Sequence, residues 1–424
     1  MAQLIQPVRG MNDILPEQNS GWSAVETAAA TLFDSYGYER IRIPVVEKTD
    51  LYKRSIGETT DIVEKEMYTF DDRNGESLTL RPEATAGIVR AGLSNGIFHN
   101  QQQKLWCSGP MFRHEKPQKA RYRQFHQLSV EAVGFQGPEI DAELIVLSAR
   151  LWERLGLESP VLEINSLGTP ASRVQYREAL VAHFEASRDL LDADSLRRLE
   201  VNPLRILDSK NPQLEGLIAS APVLGDHLDA ESRDHFERVQ HLLGDVGVEF
   251  VLNPRLVRGL DYYSRTVFEW ITDRLGAQSA ICSGGRYDGL VEQLGGRETP
   301  AVGWALGMER VVELMAAEGC QTVSRSPDAY LVMAGDEARR KGFGIAERLR
   351  EAVPGLRLTL DCVAGGMKGQ LKRADRSGAR LALILGDDEI AAGKISVKAL
   401  REKLPQESVN MEELISQLLR DGAH

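Results

Sequence analysis

The chain contains no run of 18 apolar residues, no cysteine pair at metal-binding spacing and no glycine-rich phosphate loop. The first absence excludes a membrane-spanning helix. Cys107, Cys282, Cys320 and Cys362 stand at least 38 residues apart, so no CxxC or Cys/His pair has zinc-ligand spacing, and HExxH is missing. The opening MAQLIQPVRGMNDILPEQ lacks an apolar stretch behind a basic start, which predicts no secretory signal. A reduced, cytoplasmic protein without a structural metal is the expectation. Neither GxxxxGK[ST] nor a helix-opening GxGxxG occurs, so a bound nucleotide would need side chains to hold its phosphates. Positive charge is also short: 51 Lys and Arg face 62 Asp and Glu, for a net charge of −11. That excludes a surface coated for non-specific nucleic-acid binding, although local basic patches can still meet phosphates.

What is present is ordinary globular sequence, 42% hydrophobic and 27% charged. At 424 residues the chain is expected to form two or three domains. Residues 20–37 carry an apolar stripe (Trp22, Val25, Ala29, Leu32, Phe33, Tyr36) at helical spacing. A short strand at Arg40–Ile43 stops at Pro44. Met67–Phe70 and Ser77–Leu80 flank Asn74-Gly75 as a hairpin, with a helix beginning near Ala84. Residues 104–115 and 124–134 form another antiparallel pair across a basic loop. From 170 to 245 the pattern turns helical, which predicts an inserted module. Strands resume at Val248–Leu252, Tyr262–Thr272 and Ser279–Cys282, followed by a helix near Gly307–Ala317. A polar stretch at 318–327 marks a boundary. Alternating strands and helices beyond it predict a small α/β domain with a mostly parallel sheet. The expected fold is α+β: a catalytic domain over 1–325 interrupted by 170–245, then an α/β domain over 326–424.

Two basic patches stand out. Arg113, Lys116, Lys119, Arg121 and Arg123 surround one acid, Glu115; Lys368, Lys372, Arg373, Arg376 and Arg380 surround Asp375. Either patch alone is compatible with a solvated face. Strand alternation places Arg113 and Glu115 on one face about 7 Å apart. On the next strand Phe125, Gln127, Ser129 and Glu131 share a face opposite His126, Leu128, Val130 and Ala132. That face is either a polar pocket floor or a solvent-facing strand. Arg258 precedes Gly259, a point of bending or close approach, and Tyr263, Arg265, Val267 and Glu269 alternate beyond it. Ser283-Gly284-Gly285-Arg286-Tyr287-Asp288-Gly289 reads as a glycine turn into a helix, either an anion cradle or a tight corner. Gly365-Gly366 before Lys368 reads as a turn and helix start. Gly303 to Arg310 sets an arginine in the first turn of a helix.

Taken together, these segments resemble the signature motifs of class II aminoacyl-tRNA synthetases: the helix–strand–proline element ending near Pro44, FRHE with its loop and following strand, and the approach to Glu309-Arg310. LVRGLDYY at 256–263, GGRYDG at 284–289, RPEATAG at 81–87 and RYRQFHQ at 121–127 resemble the histidyl-tRNA synthetases in particular. The likeness spans the whole chain, with five motifs in order.

The resemblance implies a homodimeric ligase of protein biosynthesis acting on L-histidine, ATP (accompanied by Mg2+) and histidine tRNA. It implies that Glu83, Ala84, Thr85 and Gln127 surround the histidine ammonium, that Glu131 and Tyr263 meet the imidazole, and that Tyr262 lines the pocket. Arg113 and Arg258 would flank the α-phosphate as catalytic groups, with both also near the histidine carboxylate. Phe125 and Arg310 would sandwich adenine, while Glu115 and Arg121 fold ATP into a bent form. Lys116, Gln118, Lys119 and Arg123 would meet the tRNA acceptor end. Lys368, Lys372 and Arg376, at i, i+4 and i+8, would meet phosphates from an anticodon-binding domain. No protein metal site is implied. Two departures stand out, Ala84 and Ser283, where the resembled family commonly has glycine and alanine; a positive φ at 84 would cost about 1 kcal/mol. Rival readings are a non-catalytic histidine sensor regulating histidine biosynthesis and a sister synthetase for another amino acid.

Overall fold

The structure, a computed structural model, describes residues 4–57, 60–117, 120–207, 209, 211–258, 260, 262–276, 280–321, 326–363 and 365–420. The chain divides into two compact units, Met1–Thr322 and Val323–His424. No helix among the described residues is long and apolar enough to cross a membrane.

Strands of the first unit are β1 (Glu39–Arg40), β2 (Val46–Lys48), β3 (Tyr68–Asp71), β4 (Ser77–Leu80), β5 (Gln103–Phe112), β6 (Gln124–Val133), β7 (Val161–Ser166), β8 (Val251–Leu252), β9 (Ser264–Ile271), β10 (Ala280–Arg286) and β11 (Ala301–Gly307). Eight of them form one sheet in the order β1-β5-β6-β11-β10-β9-β7-β8, antiparallel except at its two edges, where β1–β5 and β7–β8 run parallel. Strands β2, β4 and β3 make a separate antiparallel sheet.

One face of the large sheet is dry because period-2 alternation sends Leu128, Val130 and Ala132 to the same side as Trp304 and Phe268. Four helices pack against this face, the last of them Ala230–Asp245 through Val239 and Leu243. Asn19–Ser35 buries Trp22, Val25, Ala29, Leu32 and Phe33, the stripe its sequence announces. Met308–Glu318 buries Met308, Val311, Leu314 and Met315. The third, Pro138–Leu155, is not among the elements expected from sequence. Its signals are nonetheless visible: Gly137-Pro138 opens it, and Gly156 in the left-handed region, at φ +72°, closes it.

The opposite face is mixed, with Leu105, Cys107 and Met111 beside Glu131, Ser129 and Gln127, and it carries the site. The segment between 170 and 245 is helical as expected, with Pro170–Glu185, Ala193–Val201 and Ala230–Asp245 as its longer helices. At its root, Thr169, Ser172 and Ser232 all donate to Asp229. Arg173 donates to the Tyr263 carbonyl at 2.8 Å, tying this segment to the strand beside the site.

The expected glycine turn into a helix is found only at Asp288-Gly289, ahead of the helix Leu290–Gln293. Gly284 and Gly285 lie inside β10 and form no turn or anion cradle. They are small because neighbouring strands pass close: a Cβ on Gly284 would sit 2.5 Å from both the Gly303 oxygen and the Trp304 Cβ. Arg286, next along, is fully buried beneath the sheet. It bonds Asp141 on the Pro138–Leu155 helix, Asp288, and the carbonyls of Phe135 and Gly137. Burial works to raise Asp141, but Arg286 and His235, 3.3 Å away, hold it below the ordinary carboxylate range.

In the second unit the strands are β12 (Ala329–Ala334), β13 (Leu358–Leu360), β14 (Leu381–Gly386), β15 (Ile395–Ala399) and β16 (Glu407–Val409), ordered β13-β12-β14-β15-β16. Only β13, β12 and β14 are parallel; β15 and β16 add antiparallel strands, so the sheet is mixed and not mostly parallel. The connection after β14 holds only the short helix Asp387–Ala392 and that after β15 holds no helix, which antiparallel neighbours allow because they need no long crossover.

Asp141→Ala takes the fully buried partner from the Arg286 guanidinium and leaves it the less buried Asp288. A loss of about 3–5 kcal/mol in urea unfolding is expected. A loss below about 1 kcal/mol, the range of surface pairs, would contradict this account of the core.

Candidate active site

A cleft of about 310 Å³ opens on this face, lined chiefly by residues from five separated stretches. Glu83 and Thr85 come from the segment before the helix Thr85–Ser94. Arg113, Glu115, Arg121, Phe125 and Gln127 come from β6 and the segment before it. Arg258, Tyr262 and Tyr263 precede β9, and Ser283, Ala305 and Arg310 complete it from β10 and β11 onward. All these side chains except Ser283 and Ala305 were singled out as site candidates by sequence.

Its inner end is built around buried carboxylates. Glu83 accepts the backbone N–H groups of Thr85 at 2.6 Å and Ala86 at 3.0 Å, so it caps the helix that begins there. Burial raises its pKa, and those two N–H bonds oppose the rise. Ala84 has φ −98°, an ordinary backbone conformation, so the condition under which alanine would be strained here is not met.

Glu131 is fully buried one layer below the cleft. Thr85 Oγ1 donates to it at 2.6 Å and Tyr287 Oη donates to its other oxygen. Burial pushes its pKa up to about 8, the Thr85 and Tyr287 hydrogen bonds opposing this and Glu83 adding to it. The carboxylate exists there because Gly303, its cross-strand partner on β11, has no side chain: a Cβ would occupy the place of Glu131 Oε2. Gln127 Oε1, nearby on the same face, is buried with no donor among the described residues.

Tyr262, Tyr263 and Tyr287 form an aromatic wall, with ring centroids 4.7 Å apart for the first pair and 5.5 Å for Tyr262 and Tyr287. Simple alternation would send Tyr262 and Tyr263 to opposite faces, and the structure corrects that. β9 starts only at Ser264, Arg265 takes φ +48°, and the β9–β10 register shifts beside Arg286. Both tyrosines consequently face the site side.

The outer end is cationic. Arg113 donates from Nε to the Pro82 carbonyl at 2.9 Å and lies 5.2 Å over the Phe125 ring. Arg258 pairs with Glu269 at 2.8 Å and lies 5.6 Å over Tyr263. Burial opposes the charge of Arg258, but Tyr263 and Glu269 outweigh it and hold its pKa above the ordinary value. Arg310 bonds the Ala280 carbonyl, and Glu309 receives the His126 backbone N–H at 2.9 Å. Arg121 pairs with Glu115.

The expected strand over Arg113–Glu115 ends at Phe112, so these residues sit in irregular chain. Arg113 receives its position instead from Pro82 and from its N–H bond to the Arg123 carbonyl. Arg123 itself turns inward, its Nε donating to the Glu115 carbonyl at 3.2 Å. Lys116 is exposed, and Gln118 and Lys119 lie outside the described residues, as do Gly259 and Asp261 of LVRGLDYY. Lys368, Lys372 and Arg376 are exposed along the helix Met367–Arg376 of the second unit. Sequence reasoning missed Tyr287, Glu269 and Gly303 as parts of the site. Tyr287 stood inside a noted motif, but its reach to Glu131 depends on strand order. Among the described residues, no three His, Cys, Asp or Glu side chains gather to hold a metal ion.

An antiparallel sheet with two arginines over one face, no phosphate loop and a motif helix carrying Arg310 defines a class II aminoacyl-tRNA synthetase catalytic unit. Comparison with known proteins narrows the class. Residues 10–311 match the family model for histidyl-tRNA synthetase, and residues 328–421 match that of an anticodon binding domain. The chain belongs to the histidyl-tRNA synthetase family. It is 55% identical to a histidine–tRNA ligase of Hydrogenovibrio crunogenus, over 99% of this chain and 98% of that one. A histidine–tRNA ligase of Halorhodospira halophila is 56% identical over 98% and 97%. Among solved structures, apo histidyl-tRNA synthetase of S. aureus superposes with a TM-score of 0.82 at 36% identity, covering 98% of this chain and 99% of that one. A Bacillus halodurans protein described as an ATP phosphoribosyltransferase regulatory subunit/histidyl-tRNA synthetase shares the fold, with a TM-score of 0.65 at 22% identity, covering 88% and 97%.

Gly303→Ala forces the Glu131 carboxylate or its strand to move. An overpacking loss of about 1–3 kcal/mol is expected in thermal or urea unfolding. An unchanged stability would show that Glu131 has room it does not have here.

Proposed function

We propose that the chain is a histidine–tRNA ligase whose cleft joins L-histidine to ATP, releasing pyrophosphate, and then passes the histidyl group to its tRNA. The observation that carries this reading is a cleft lined by two half-buried guanidiniums, Arg113 and Arg258, with a dry carboxylate, Glu131, bonded to the cleft-lining Thr85.

Attack of the histidine carboxylate on the α-phosphate brings two anions together. Arg113 and Arg258 offset that repulsion and stabilise charge developing on the phosphoryl oxygens, in a site where water screens little. The new bond joins a carboxylate oxygen to phosphorus, and the bond to the pyrophosphate oxygen breaks. In the second step a tRNA hydroxyl attacks the histidyl carbonyl carbon and AMP leaves.

Glu83 supplies negative charge for the histidine ammonium, and the unpartnered oxygen of Gln127 supplies an acceptor for one of its N–H groups. Glu131 keeps lone pairs beyond those bonded to Thr85 and Tyr287, and an imidazole N–H suits one of them. With Tyr262 and Tyr263 around the ring, an aliphatic side chain would leave that carboxylate unanswered, which discriminates by about 10⁴ or more. Adenine lies between Phe125 and Arg310, and the Glu115–Arg121 pair shapes the bent triphosphate. Magnesium enters with ATP as its phosphate counter-ion.

For tRNA, the acceptor end meets the segment holding Lys116, Gln118, Lys119 and Arg123. The domain from 326 onward reads the anticodon with Lys368, Lys372 and Arg376. A homodimer in the cytoplasm completes the reading; Val46 and Phe70, exposed on the small β2-β4-β3 sheet, support such an interface. The sensor alternative is disfavoured because the adenylating arginines and the anticodon-domain match are all retained.

Purified protein is expected to exchange labelled pyrophosphate into ATP with histidine, and with no other amino acid at comparable rate. Absence of histidine-dependent exchange would overturn the ligase. Arg258→Ala should slow adenylate formation about 10²-fold or more while the histidine dissociation constant shifts by less than about threefold. Equal losses in both would reduce Arg258 to a ground-state contact.

A further inference from the structure

Arg258 has no regular backbone to fix it. It sits between β8 and β9, and among the described residues its guanidinium is held by side chains. Only one anion meets it among the described residues: Glu269, on β9, whose Oε1 lies 2.8 Å from Arg258 Nη1. Ser283 Oγ donates to the same oxygen at 2.9 Å.

The sheet register explains why these three meet. Across the sheet, Glu163 on β7, Glu269 on β9 and Ser283 on β10 are directly opposed, and the row continues through Ala305 on β11 to Ser129 on β6. Directly opposed residues share a face, and Ser283 and Ala305 line the cleft. Two glutamates side by side repel unless each has a partner. Both partners come from the same irregular stretch: Glu163 accepts Asn253 Nδ2 at 2.6 Å, and Glu269 takes Arg258. The row therefore works as a rail that holds this stretch over the sheet. Arg258 Nε stays buried without a protein acceptor among the described residues, and a guanidinium carries five donors, so the pair with Glu269 leaves donors for an anion in the cleft.

We propose that Glu269 and Ser283 are positioning residues for Arg258: Glu269 sets the direction of the guanidinium toward the reacting phosphate, and Ser283 fixes the rotamer of Glu269. The proposal rests on the role given to Arg258 above. It assigns neither residue a contact with substrate.

The test is a double-mutant cycle on the full chain, using Glu269→Gln, Arg258→Ala and the combination. Pyrophosphate-exchange kcat is measured alongside the histidine dissociation constant. Glu269→Gln is expected to lower kcat about 10-fold or more, with the dissociation constant within about threefold. In the Arg258→Ala background it should cost less than about twofold, because its effect passes through Arg258. Equal fold-losses in both backgrounds, or a loss confined to histidine affinity, would overturn the proposal. Ser283→Ala removes one hydroxyl and serves where Glu269→Gln does not fold. It should lower kcat about threefold in wild type and not in Arg258→Ala, and the same loss in both, or none in either, would overturn the proposal. Wild-type protein without histidine-dependent exchange would sink the ligase reading and this one with it. Wild-type exchange with an additive cycle would sink the positioning role alone.

Discussion

A carboxylate kept out of water governs the inner half of this site. Glu131 is sealed by strands on both sides, and its presence dictates what its neighbours can be. Gly303 must lack a side chain, Thr85 and Tyr287 must supply hydroxyls, and Glu83 must turn its oxygens to backbone N–H groups beside it. An unpaired charge in such a place costs several kcal/mol, so the protein divides the cost among these donors and leaves part of it for a ligand to offset. That incompletely answered carboxylate is what selects a side chain with an N–H at the right place.

The outer half solves the complementary problem with cations. No phosphate loop exists, so guanidiniums must be aimed individually. Each is aimed by a different device: Arg113 by the Pro82 carbonyl, Arg258 by Glu269, Arg310 by the Ala280 carbonyl at the end of β10. Beneath them the Asp141–Arg286 pair ties the Pro138–Leu155 helix to the very strand that delivers Tyr287. Core and site thus share one strand, and a change in the packing of Arg286 reaches Glu131 through a single neighbouring residue.

Much of this was legible in the sequence, and the boundary between what was and was not has a physical cause. Local periodicity revealed the helix Asn19–Ser35, the β5–β6 pair and the sidedness of Gln127, Ser129 and Glu131, because each depends on residues close in sequence. Motif resemblance supplied the family and most of the charged and polar side chains that line the cleft. Apart from the helix Pro138–Leu155, whose signals are local, what stayed hidden depends on strand order. Gly303 faces Glu131 across 172 positions of chain, and Ser283 faces Glu269 only because β10 folds back on β9. The glycine pair in β10 misled for the same reason: Gly284 and Gly285 look like a turn until the neighbouring strands that crowd them are in place. Arg265, with its positive φ, broke an alternation that had looked safe.

The claim on which the account turns is that Glu131 is held dry and is charged only in partnership. Infrared difference spectra between the wild-type protein and Glu131→Gln test it directly through the stretch of a protonated carboxyl group. The account predicts that band in the free protein at pH 7, fading with a midpoint near about 8, and lost at pH 7 on saturation with histidine. A free protein showing only carboxylate at pH 7, or a carboxyl band that histidine leaves unchanged, would contradict it.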